Sequence, residues 1–349
     1  MRILSIIYIV TTLHFSIISS TAAQPSTKNL KVEIQNLVSD YYNSQNYHGS
    51  ILVANSDGII YQAGFGNANE SSKNNVQTVY KIGSLTKAFT ATIILKLEEE
   101  GLIDLEATLD SYLDEFETDN VSKIKVKHLL NFSSGLQNYT MNQDIVALHS
   151  RGAAPKQLVS SFIGQELLFE PGTKRAYCNA GYTLLGYLAE KITGDSYATL
   201  LREYIFKPLN MTNSYYLNSD SETESYNASG DKQQVYQIHL SIPFAAGAIE
   251  STVEDLYVFY QALFNGELLS ENAIQNIQKI NDHGYSCGWF FKDTDEFTVV
   301  NQGGKVPGFH SRVSAVVKDG IYIISLNNIS QAKLRELHIE ILSILGYNL

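Results

Sequence analysis

Cysteine is almost missing from this chain: Cys178 and Cys287 stand alone among 349 residues. A disulfide scaffold is thereby excluded, since it needs several bridges in place of a core. Export would permit one bridge between them, but their separation fits no metal-ligand spacing, and two buried thiols are the expectation. Positive charge is short as well, with 25 Lys+Arg against 36 Asp+Glu and a net of −11. That balance excludes nucleic acid and anionic lipid as natural partners. Only six prolines occur, with no Pro-rich or other low-complexity linker and no internal repeat. Beyond residue 18 no apolar run is long enough to span a bilayer. What is present is an apolar fraction of 44%, ample for a core, in one large domain or two smaller ones.

The first residues, MRILSIIYIVTTLHFSIISSTAAQ, carry one charge at Arg2, an apolar stretch from Ile3 to Ile18 and small residues from Ser19 to Ala23. This is the layout of a signal peptide over residues 1–23, cleaved after Ala23, and it predicts an exported protein, periplasmic or secreted; the other reading is an uncleaved anchor, for which the apolar run is short. Removing it takes away only Arg2 and leaves 24 Lys+Arg against 36 Asp+Glu, a net of −12. Seven N-x-S/T sequons occur, at Asn69, Asn120, Asn131, Asn138, Asn210, Asn227 and Asn328. In a chain this rich in Asn, Ser and Thr several arise by chance.

Whole reaction classes are absent too. There is no G-x-S-x-G elbow, no H-E-x-x-H, no G-x-x-x-x-G-K-[ST], and no Cys/His cluster among eight histidines. Metal and nucleotide chemistry are set aside and no cofactor is called for.

Leu30 to Asn46 has the apolar stripe of an amphipathic helix. SILVANSDGIIYQAGFG then holds two strand-like runs split by Asn55-Ser56-Asp57-Gly58, a hairpin signal. The next helix contains Ser84 and stops at Gly101. From Asp104 to His239 the pattern is helical with polar loops: VKHLLNFSSG, PKQLVSSFIG and AGYTLLGYLAEKITG. A helix within STVEDLYVFYQALFNG leads back to strands over Phe297–Gln302, Arg312–Lys318 and Ile321–Asn327, the last two joined at Asp319-Gly320, and a helix over Gln331–Leu345 closes the chain. The expected class is α+β: an antiparallel sheet flanked by helices (24–103 and 240–349) with an all-helical insertion (104–239) and a cleft between them.

The spacing S-x-x-K occurs four times, at Ser84, Ser122, Ser229 and Ser330. Ser122 lies in SKIKVK, where lysines alternate as on a solvated strand. Ser229 sits in the turn-like NASGDK, and Ser330 has the place of an N-cap. Only Ser84 follows a strand-like segment, TVYKIG, and opens an apolar, Ala-rich helix. Its Oγ then stands at the positive helix end, which favours an alkoxide, with Lys87 one turn on along the same face. A lysine desolvated there has a depressed pKa and can take the serine proton. Spacing alone leaves a second reading open, a plain N-cap followed by a solvated lysine.

KIGSLTKAFTA, VKHLLNFSSGL, FEPGTKRAYCNAGYTLLGYLAEKITG, AAGAIESTVEDL and QGGKVPGF resemble, in order, successive blocks of the serine β-lactamase and penicillin-binding-protein superfamily. The branch they resemble holds class C β-lactamases, D-alanyl-D-alanine carboxypeptidases and related esterases. The resemblance spans Gly49 to Asn327 and implies a β-lactamase/transpeptidase-like fold. Carried over residue by residue, it makes Ser84 the acylated serine and Lys87 its partner. In Tyr177-Cys178-Asn179 it makes Tyr177 the proton relay, and Asn179 the amide that holds the lysine and substrate. Y-x-N also occurs at Tyr41 and Tyr216, outside any matching block.

The third block departs from the family, whose members show Lys or His, a small residue and Gly. Here the triplet is Gln302-Gly303-Gly304, followed by Lys305. The resemblance assigns all four to substrate binding, with an oxyanion hole from the N–H groups of Ser84 and Lys305. Gln302 brings no positive charge and Gly303 no hydroxyl to a substrate carboxylate, a loss of about 1.5–3 kcal/mol per charge-assisted bond, or roughly ten- to hundredfold in recognition. Lys305, Arg175 and His310 are the candidates to compensate. Asn131-Phe132, where the family often has His-Thr, is expected to affect packing. The implied function is hydrolysis of a small ester, a D-amino-acid amide or peptide, cell-wall-derived peptide included, ahead of a β-lactam. The alternative is a non-catalytic or very slow penicillin- or peptide-binding protein of the same fold.

Overall fold

Strand assignments follow the chain: β1 (Gly49–Asn55), β2 (Gly58–Gly64), β3 (Tyr80–Lys81), β4 (Tyr215–Tyr216), β5 (Ile249–Ser251), β6 (Tyr285–Ser286), β7 (Trp289–Asp293), β8 (Thr298–Val306), β9 (Phe309–Val316) and β10 (Ile321–Asn327). Seven form one antiparallel sheet in the order β2-β1-β10-β9-β8-β7-β6, and three short ones form a second, β3-β5-β4. The computed structural model describes residues 27–141, 143–217, 222–227, 229–279 and 284–349. The signal-peptide reading of residues 1–23 lies outside them.

The large sheet is covered on both faces, which is why β1 and β10 read as nearly continuous apolar runs. Alternate residues point to opposite faces. Leu52 and Ala54 of β1, with Tyr322, Ile324 and Leu326 of β10, enter the larger apolar cluster. Ile51, Val53, Ile321 and Ile323 enter a second cluster beneath the terminal helices Thr27–Asn43 and Leu334–Ile344. Ile34 and Val38 carry the inward stripe of the first helix, whereas Val32 is exposed. Among the described residues no helix is long and apolar enough to cross a membrane.

The hairpin at Asn55–Gly58 and the span of β10 are as read from the sequence. β8 runs on to Val306, four residues past its expected end, because its register with β9 continues to Val306↔Phe309. The second sheet was not legible in strands of two or three residues, too short for alternation to show. Cys178 and Cys287 are buried free thiols.

Candidate active site

Ser84 sits in a 3₁₀ turn, Gly83–Leu85, that leads into the helix Thr86–Glu99. Two glycines let β8 lie against this turn. Gly83 has φ +54°, and a β-carbon there would come within 2.9 Å of the Lys305 backbone nitrogen. At Gly304 a β-carbon would stand 2.1 Å from the Ile82 carbonyl oxygen. Any side chain at Gly304 would therefore push the backbone N–H groups of Ser84 and Lys305 apart. The turn is also tied down from β9, where Ser311 donates to the Ile82 carbonyl at 2.7 Å.

Lys87 projects from the first turn of that helix into the interior and is 1% exposed. Its Nζ lies 2.9 Å from Ser84 Oγ, 2.8 Å from Asn179 Oδ1 and 2.8 Å from the Ala246 carbonyl oxygen. Burial pushes its pKa below the ordinary lysine value of 10.5, with the Tyr177 hydroxyl opposing that shift. A neutral amine has two N–H donors and one lone pair. With Asn179 and Ala246 fixed as acceptors, the remaining direction, the lone pair, points at Ser84 Oγ.

Tyr177 and Asn179 flank Cys178, the N-cap of the helix Asn179–Thr193. Tyr177 Oη is hydrogen-bonded to Ser84 Oγ at 2.6 Å, and the Tyr177 side chain is 49% exposed. Lys87 Nζ also lies 5.0 Å from the centre of the Tyr177 ring. Phe132 packs on that ring with 4.7 Å between centroids and stacks on Tyr285 at 4.1 Å. Phe132 has φ +61°, and such a backbone in a bulky residue costs about 1–3 kcal/mol. The packing expectation for Asn131-Phe132 thus has a concrete form: Phe132 supports the Tyr177 ring.

The third block needs a correction. Gln302 is 3% exposed and lies behind Ser84, its Nε2 donating to the Ser84 carbonyl oxygen at 3.0 Å and its Oε1 accepting from Tyr260 at 3.3 Å. Its amide is committed to the Ser84 backbone, so Gln302 holds Ser84 in place and does not face a substrate carboxylate. Gly303 is exposed and Gly304 buried, as alternation along β8 requires. One candidate compensating cation is also corrected. Burial holds the His310 pKa down to about 4, which leaves the ring uncharged at neutral pH. Arg175 lies over the rings of Tyr285 and Phe290 at 5.5 and 5.6 Å. Lys305 does reach a cavity of about 510 Å³, which Asn179, Lys81 and His149 also line.

Ala246 and Phe132 have parts in this geometry that residue type could not announce, because one acts through a carbonyl and the other through a ring face. Their blocks, AAGAIES and VKHLLNFSSG, were visible.

Residues 34–344 match the family profile described as Beta-lactamase. The chain belongs to the β-lactamase family. This is the fold of the β-lactamase/transpeptidase-like serine hydrolases, and the chain is a serine hydrolase of that fold. Among curated relatives, penicillin-binding protein 4* of Bacillus subtilis (strain 168) is 28% identical over 330 residues, covering 86% of this chain and 72% of its own. The putative penicillin-binding protein PbpX of the same strain is 27% identical over 341 residues, with 94% and 83% covered. Among solved structures, the D-amino acid amidase of Ochrobactrum anthropi SV3 in complex with L-phenylalanine amide is 20% identical with a TM-score of 0.76. The match covers 91% of this β-lactamase-family chain and 99% of the amidase. A D-stereospecific amidohydrolase from Streptomyces sp. is 24% identical with a TM-score of 0.73, covering 90% and 98%. These likenesses establish the fold and leave the class C subtype undecided.

Proposed function

We propose that the protein is an exported serine hydrolase working through an acyl-enzyme on Ser84. The observation that carries this reading is the hydrogen-bonded cluster of Lys87 Nζ, Ser84 Oγ and Tyr177 Oη, at 2.9 and 2.6 Å. Lys87 takes the Ser84 proton as Oγ bonds to the substrate's carbonyl carbon. The resulting oxyanion faces the backbone N–H groups of Ser84 and Lys305. Collapse breaks the bond to the leaving group, which departs with a proton delivered through Tyr177. Water then attacks the ester carbonyl, Ser84 Oγ leaves and recovers its proton, and the acid is released.

The substrates ranked first are a small ester and a D-amino-acid amide or peptide, cell-wall-derived peptide among them, with Asn179 against the substrate's amide or carbonyl. A β-lactam ranks second, because Gln302 is turned to the Ser84 carbonyl and Gly303 has no hydroxyl, so neither binds a carboxylate on the leaving side. The names of the solved amidases agree with this order.

Intact-mass measurement after treatment with a fluorophosphonate and, separately, a penicillin tests the reading. The expected result is a fluorophosphonate adduct on the wild type and none on Ser84→Ala, with penicillin labelling slower or absent. A wild-type chain that forms no adduct with either probe contradicts catalysis and leaves a binding protein of the same fold.

A further inference from the structure

The 510 Å³ cavity beside Asn179 has walls that are apolar in the main, including Val146, Ile238 and Pro307, yet the charged side chains in its lining are Lys81 and Lys305, with no carboxylate among them. No ion pair to Lys81 or Lys305 occurs among the described residues. Lys81 is half-buried on β3 and Lys305 is exposed on β8. His149 is a further polar residue of the lining, with Thr140, Asn179 and Gln237. It is 7% exposed, and neither ring nitrogen has a hydrogen-bond partner among the described residues. Its ring leans on Tyr236 at 5.7 Å between centroids, which fixes its plane. Both ring nitrogens are also closed off from solvent, so His149 is wall, and the charged groups that line the cavity are those of Lys81 and Lys305.

We propose that this cavity is an acyl subsite for an apolar chain ending in a carboxylate, bound by Lys81 and Lys305. The inference rests on the acyl-enzyme reading and adds the substrate class. Two lysines without a counter-charge in the lining attract an anion and repel an ammonium group. Asn179, set against the substrate's amide or carbonyl in the proposed function, is part of the wall, so the cavity receives the acyl half of the substrate. The cation that Gln302 does not supply thus stands at different residues and serves a different part of the substrate. Within the proposed substrates this favours acidic acyl groups over amides with a free amine.

The test is kcat/KM for three 4-nitrophenyl esters of equal acyl length: the hexanoate, the adipate monoester and the 6-aminohexanoate. The adipate is expected to exceed the hexanoate by roughly tenfold or more, the scale of one charge-assisted bond, with the 6-aminohexanoate slowest. Lys81→Met and Lys305→Met are each expected to lower the adipate-to-hexanoate ratio, and Lys81→Arg to retain it. A wild-type ratio at or below one, or a ratio unmoved by both substitutions, overturns the subsite. Fluorophosphonate labelling separates the two levels of the argument. Labelling at Ser84 without anionic preference defeats the subsite alone, and absence of labelling defeats the acyl-enzyme reading beneath it.

Discussion

At the residue scale, Lys87 is an amine with three oxygen neighbours, two of which are fixed acceptors. Ser84-x-x-Lys87 was visible as a spacing, but three other copies have the same spacing. What distinguishes this one is burial, which a local pattern does not record. Gln302 shows the converse. Its place in the third block was readable, and the resemblance puts it at the substrate, whereas its amide holds the Ser84 carbonyl. Removing it by Gln302→Ala leaves that carbonyl and the Tyr260 hydroxyl without their partner, a loss of about 1–3 kcal/mol. Chemical denaturation of the variant is expected to show it, together with slower fluorophosphonate labelling. Unchanged stability and labelling would remove the positioning role.

At the element scale, long periodic segments were legible and short ones were not. The helix Asn179–Thr193 could be read from AGYTLLGYLAEKITG, and β10 from IYIISLN after the Asp319-Gly320 turn. β3, β5 and β6 are two or three residues long, and tertiary pairing fixes them. The loop at Phe132 also needed the structure, since its φ of +61° and its packing between Tyr177 and Tyr285 are properties of contact. Phe132→Leu keeps apolar bulk but loses the ring face under Tyr177. The expected outcome is acylation slowed about tenfold with modest destabilisation, within about 1.5 kcal/mol as for core swaps of similar size. Stopped-flow labelling alongside a denaturation curve checks both, and wild-type labelling would show that Tyr177 holds its place without that ring.

At the scale of the whole molecule, the two apolar clusters on either face of the sheet leave buried histidines in the interior. His338 is 1% exposed and bridges β9 to β10, with Nδ1 at 2.9 Å from Ser314 Oγ and Nε2 at 2.9 Å from Ser325 Oγ. Burial drives its pKa well below 6.5, and burial holds His128 at about 4. The unfolded chain takes up protons below pH 6.5 that the fold refuses, so stability is complete above that value and falls as pH drops. Half-buried Glu190 and buried Asp255, whose pKa values are pushed up, act in the opposite sense nearer their own range. The denaturation midpoint is therefore expected to fall between pH 7.5 and 5.5, less steeply in His338→Gln. A midpoint that is flat or rises over this interval contradicts the assignment. The two-sided burial behind it was legible in the apolar runs of β1 and β10, but the histidine between two serines was not.

The central claim is that buried Lys87 is the base that activates Ser84. It is tested most directly by the single-turnover rate of Ser84 acylation by a 4-nitrophenyl ester, followed against pH in the wild type and in Lys87→Ala. Because burial lowers the Lys87 pKa, the free amine accumulates with rising pH through a value below 10.5. The wild-type rate should climb along that limb and then level off. In Lys87→Ala the limb should vanish and the rate fall by roughly two to four orders of magnitude, the usual scale of a general base. A Lys87→Ala profile that matches the wild type in height and shape would contradict the account.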